Sequence, residues 1–205
     1  MATRAGTAKG INPIKDFFVG QEPMTNALWG MVFFIFSEVM FFSGLIAAYL
    51  ALQSDALVWA PSNGAEPLDA GFRPIFFTIV LVTSSLPMQW AAFSIRKGNR
   101  RGMQWGMFLT IALGIAFLIN QGVEWIDAGF GIGDGPYGAT FFLLTGFHGA
   151  HVLGGLLFIM ILFLRSQVGQ FDAKRNTAVE AATMYWHFVD VVWIMLFSLI
   201  FVAFS

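Results

Sequence analysis

Five apolar runs divide the chain, at 27–52, 74–95, 103–126, 137–164 and 178–204, and polar or glycine- and proline-rich stretches separate them. About 20 helical residues at about 1.5 Å each cross a bilayer core of roughly 30 Å. Each run therefore predicts a membrane-spanning helix. The pattern predicts an all-α, polytopic bundle of five transmembrane helices. Residues 1–26 read as a polar surface tail, without the apolar core and cleavage site of a secretory signal, and 27–205 as a single transmembrane domain. Pro87 is expected to kink the second helix, with Ser84 and Ser85 helping to satisfy the freed carbonyl.

The stretch TGFHGAHVLGG, residues 145–155, lies inside the fourth run. Side chains three apart share a helix face, so the imidazoles of His148 and His151 are expected to point the same way. Gly146, Ala150 and Gly154 make a small-xxx-small row largely across the helix from them, suited to close helix approach. The fourth helix is thus expected at the centre of the bundle, packed on at least two sides.

Composition strengthens the membrane reading. Of 205 residues, 57% are apolar and 11% charged, against roughly 25% charged in soluble domains, and the mean hydropathy is +0.71. The absence of cysteine excludes disulfides, Cys-ligated zinc, iron–sulfur clusters and thioether-attached haem. Ten of the eleven Lys and Arg residues fall in the tail, the second-to-third loop and the fourth-to-fifth loop, leaving Arg73 alone on the other side. The positive-inside rule then predicts a cytoplasmic N-terminus and an external C-terminus. Trp29, Trp105 and Trp125 near helix ends fit an aromatic belt.

Ionisable groups inside spans are costly and need partners. Glu38 is placed about 16 Å from its helix end, and His148 and His187 lie at similar depth. On its own helix Glu38 shares a face with Met31, Phe34, Phe42, Leu45 and Tyr49. It therefore requires either a proton or a partner from another helix, with His148, His151 and His187 as candidates. In YWHFVDVVW, His187, Asp190 and Thr183 form a second polar stripe that is expected to satisfy itself. Glu124, in QGVEW, sits at the boundary of its span and reads as interfacial. For Glu38 a bundle-locking bond and a proton-handling role both remain open. For the His148 and His151 pair, the options are interhelical bonding and metal ligation. For His187 with Asp190 they are a structural pair and a catalytic pair. From their chemistry alone, these residues do not assemble a complete active site.

Five motifs occur in order: FSEVMFFSGLIAAYL, TSSLPMQWA, QGVEW, YGATFFLLTGFHGAHVLGG and YWHFVDVVWIMLF. Together they resemble subunit III of the haem-copper oxidases, the cytochrome c oxidase type, across nearly all of 27–204. Glu38 corresponds to that family's membrane carboxylate, Glu124 to the acid of its QxxE motif, and His148, His151, His187 and Asp190 to its histidine-bearing helices. The resemblance implies an accessory subunit with no haem or copper of its own. It would dock on subunit I, which carries the haems and one copper, beside subunit II, which carries the electron-entry copper. Its implied roles are assembly, sustained turnover and support of proton uptake, in a complex that reduces O2 to water and translocates protons. Longer members have seven helices with phospholipid in a cleft between a pair and a group of five. The short five-helix form implies a bacterial plasma membrane. A quinol oxidase or nitric-oxide-reductase-associated homologue is the alternative within the superfamily. An autonomous proton or ion channel built on Glu38, and a membrane cytochrome using His148 and His187, are the alternatives outside it.

Overall fold

A computed structural model of the chain describes residues 24–66, 68 and 71–203. Most of the polar tail and the end of the fifth apolar run at 204 lie outside the described residues. All five expected helices form, and each is long and apolar enough to cross a membrane. They are α1 (Asn26–Asp55), α2 (Phe72–Arg96), α3 (Arg100–Asp127), α4 (Gly135–Gln167) and α5 (Thr177–Phe197), the last continued by a π-helical segment, Ser198–Ala203.

Local chemistry sets the helix ends. Thr25 caps α1 by accepting from the Leu28 N–H at 3.4 Å, and Asn99 caps α3 by accepting from the Gly102 N–H at 3.0 Å. The tight turn between α2 and α3 runs through Gly98 at φ +73°, a backbone conformation costly for other residues. Pro136 sits in the first turn of α4, where its missing N–H costs nothing. Pro87 does not break α2, which runs on to Arg96.

Helices α2, α3, α4 and α5 form a ring of successive neighbours, and α1 lies outside it against α5 and α4. Helix α1 buries only Leu28, Phe42 and Tyr49. The centre of the ring is Trp186 of α5, which is fully buried. Its indole N–H donates to Ser84 Oγ of α2 at 2.9 Å. A Cβ on Gly114 of α3 would lie 2.9 Å from the indole, and one on Gly155 of α4 would lie 3.0 Å from it. Two glycines thus open the slot that one tryptophan fills, joining four helices at one residue.

The small-residue row expected to bring helices together on α4 is not the one that does so. Ala150 and Gly154 are exposed, and the nearest atom to a Cβ on Gly154 is the Tyr185 hydroxyl at 3.7 Å. Close approach instead uses Gly102, Gly106 and Gly114 of α3, spaced in fours and eights. A Cβ on Gly106 would stand 2.5 Å from the Pro87 carbonyl oxygen. Thr110, between them, is buried and bonds the carbonyls of Gly106 and Ser84 at 2.9 and 3.3 Å.

Candidate functional site

The intramembrane polar residues fall into three clusters. The first joins α1 to α4. His151 Nδ1 lies 2.7 Å from the Phe147 carbonyl oxygen, and Nε2 lies 2.9 Å from Glu38 Oε2. A carbonyl only accepts, so Nδ1 carries hydrogen and one further proton is held between Nε2 and the carboxyl. Of the three histidines that the sequence offered to Glu38, the structure selects His151. Phe42, one turn from Glu38, packs edge-on to the His151 ring at 5.0 Å, so an apolar contact backs the polar one. The Tyr185 hydroxyl of α5 donates to the His151 carbonyl at 3.0 Å and brings the third helix to the same place.

His148 does not share that environment. Three residues turn a helix by about 300°, leaving a separation of about 60°, enough to send the two imidazoles into different grooves. His148 is fully buried, stacked on Trp193 at 4.7 Å and edge-on to Phe117 at 5.9 Å. Neither of its ring nitrogens has a hydrogen-bond partner. The expectation that both rings point the same way is therefore corrected.

The second cluster joins α2 to α5. His187 Nδ1 lies 3.0 Å from Ser85 Oγ and Nε2 lies 2.9 Å from Gln89 Oε1, while the Ser85 hydroxyl also bonds Asp190 Oδ2. Thr183 turns back to the Val179 carbonyl at 2.9 Å. The stripe on α5 is thus satisfied from α2 and not by itself. Ser85 is occupied there and Ser84 donates to the Leu81 carbonyl at 2.5 Å, so neither serine bonds the Thr83 carbonyl that Pro87 frees, contrary to expectation.

The third cluster lies at the acidic end of the bundle. Arg73 Nε donates to Asn120 Oδ1 at 2.9 Å and lies 3.4 Å from Glu124 Oε1, and its Nη1 donates to Asp127 Oδ2 at 2.7 Å. Glu124 is nearly buried within this clamp, so its side chain is not an interfacial group facing water. Trp125 likewise turns inward and donates to Thr145 Oγ1 at 3.1 Å, whereas Trp29 and Trp105 are exposed. Sequence reading missed Ser85, Gln89 and Arg73 as partners. The usable signals were a lone cation facing acids spaced three apart on α3, and two polar residues four apart inside an apolar run.

These arrangements bond helices to one another. No group of three or more potential metal-ligating side chains occurs among the described residues. Haem ligation by His148 and His187 does not fit: the first ring is enclosed by Trp193 and Phe117, and both nitrogens of the second are engaged.

Outside the bundle, large apolar side chains remain exposed. On α1 they include Phe33, Phe36 and Met40 at 68%, 64% and 76%. Only lipid or a partner protein accommodates a surface of this kind.

Comparison with known proteins agrees with this picture. The family profile of cytochrome c oxidase subunit III matches residues 19–204. Cytochrome c oxidase subunit 3 of Equus caballus is 43% identical over 173 residues, covering 82% of this chain and 66% of that protein. The subunit 3 proteins of Dugong dugon and Madoqua guentheri are 44% and 43% identical over the same coverage. The chain therefore spans about 66% of the length of these curated relatives. With a profile match running through all five helices, and 43% identity to relatives over most of its length, the chain belongs to the cytochrome c oxidase subunit III family.

Proposed function

We propose that the chain serves as the accessory subunit III of a proton-translocating haem-copper terminal oxidase, in which electrons from cytochrome c reduce O2 to water. The observation that carries this reading is the family match across 19–204. In this role the chain supports assembly, stability and proton uptake of subunit I and performs no redox step. In this reading the haems and copper belong to subunits I and II, and this chain binds none of them. The bonding of Glu38, His151, His187 and Asp190 between the chain's own helices supports a packing role for them. The large exposed apolar surface is available to subunit I and to lipid. The bias of Lys and Arg toward the loops at one end supports a cytoplasmic N-terminus, in a bacterial plasma membrane.

A tagged chain purified from its own host in mild detergent tests this. Reduced-minus-oxidised spectra are recorded for the purified assembly and for the chain expressed alone. Haem bands in the assembly and none in the lone chain are expected. Haem in the lone chain would overturn the accessory role, and an assembly without haem would overturn membership of an oxidase complex.

A further inference from the structure

The second cluster holds more chemistry than helix pairing uses. Gln89 Oε1, His187, Ser85 Oγ and Asp190 Oδ2 form one unbranched hydrogen-bonded chain from α2 to α5. With the amide oxygen of Gln89 facing the ring, and accepting only, His187 Nε2 carries hydrogen. A neutral imidazole then presents a bare Nδ1, which accepts the Ser85 hydroxyl proton. Ser85 Oγ, having donated, must accept, and the only group left to donate to it is a protonated Asp190. All donors then run one way, from Asp190 to Ser85 to His187 to Gln89, with no net charge.

Two other assignments keep the same partners: an imidazolium on His187, or a Gln89 amide turned so that its NH2 donates to a neutral His187. Both place a carboxylate on Asp190, and two observations oppose that. Asp190 is 5% exposed, and its second oxygen, Oδ1, is buried without a hydrogen-bond partner. An ionised oxygen left bare is far more costly than a carboxylic carbonyl in the same position. In addition, among the described residues no Lys or Arg forms an ion pair with Asp190.

We propose that Asp190, Ser85, His187 and Gln89 constitute a proton-holding site inside the membrane, with the proton resident on Asp190 and a one-directional relay leading from it to the half-buried His187. The ligand of this site is a proton. Passing one proton from Asp190 to Ser85 and one from Ser85 to His187 converts the neutral chain into carboxylate and imidazolium without adding or losing a proton. Ser85 is the bridge, and without it the carboxyl and the imidazole are disconnected. The site depends only on the contact between α2 and α5 and not on the oxidase reading.

Infrared spectroscopy on the purified assembly containing the full chain tests the proposal, with aspartate carboxyl carbons 13C-labelled in one preparation. A protonated aspartic acid carbonyl band is expected, shifted by the label and by deuterium exchange and absent in Asp190→Asn. Its frequency moves in Ser85→Ala, where the hydrogen bond is removed. Absence of any label-sensitive carboxylic band in the unmutated chain would overturn the assignment, whatever the variants do. Thermal unfolding supplies the second readout. The amide introduced by Asp190→Asn still donates to Ser85 in the same direction, so the midpoint of this variant is expected to match the unmutated chain. A large loss in Asp190→Asn and in His187→Gln, recovered when the two are combined, would reveal a charged pair and overturn the neutral relay.

Discussion

Replacing Glu38 and His151 by alanine, singly and together, isolates the bond that holds α1 to α4. The side chains are 19% and 17% exposed, so water screens the contact only weakly. Hydrogen bonds between membrane helices average about 0.6 kcal/mol and reach about 1.7 kcal/mol, and sharing a proton with a carboxyl roughly doubles a neutral bond. A coupling of about 1–2 kcal/mol follows, a factor of roughly 5–30 in the equilibrium for releasing α1. His151→Ala is expected to cost more than Glu38→Ala, because the ring also packs on Phe42 at 5.0 Å and bonds the Phe147 carbonyl at 2.7 Å. Subtracting the single losses from the double removes that extra packing and leaves the pair. Equilibrium unfolding in mixed micelles measures the cycle, and retention of the chain in its purified assembly gives a second reading. A coupling within about 0.3 kcal/mol of zero, with unchanged retention of Glu38→Ala, would refute the claim that this pair anchors α1.

Four further outcomes are expected. Gly106→Ala drives a Cβ to 2.5 Å from the Pro87 carbonyl oxygen and is expected to cost about 1–3 kcal/mol. Gly154→Ala meets nothing closer than 3.7 Å and should be neutral or stabilising by up to about 1 kcal/mol; thermal midpoints in the same detergent decide, and the reverse order refutes the assigned packing faces. His148→Phe removes two buried ring nitrogens that have no partner and is expected to stay within about 1 kcal/mol of the parent, whereas a loss of about 3 kcal/mol or more in unfolding would show that the imidazole is bonded in the assembled protein. In the loop between α4 and α5, the Arg175 side chain, then the Lys174 and Arg175 N–H groups, donate to Asp172 and hold its carboxyl below its ordinary 3.8. A depressed carboxyl stabilises the folded loop above its unfolded value and loses that contribution as pH falls through the folded one, so loop proteolysis should be flat at neutral pH and rise only below about 4. A rise near pH 6 would point to another group.

The sequence by itself determined the helix count and boundaries to within a few residues, because a helix in lipid must satisfy its own backbone and needs a minimum apolar length. It also marked Glu38, the three histidines, Asp190 and Glu124, since a polar group in such a run is conspicuous from one dimension alone. The motif order was enough to assign the family. Partners were a different matter. Glu38 faced three histidines, and only the packing of α1 beside α4 singled out His151. Ser85 and Gln89 carry no charge and stood out little until α2 was laid against α5. The row Gly146, Ala150 and Gly154 satisfied the same spacing rule as the glycines of α3, and still Ala150 and Gly154 are exposed, because small residues permit close approach without choosing a neighbour. His148 and His151 parted for the same reason: a 60° offset is invisible in spacing and decisive once grooves exist on either side. Length, hydropathy and motif are properties of a segment, so the sequence contains them. Which face meets which is a property of the assembled bundle, settled by where Trp186 can be enclosed and which polar groups find each other when it is.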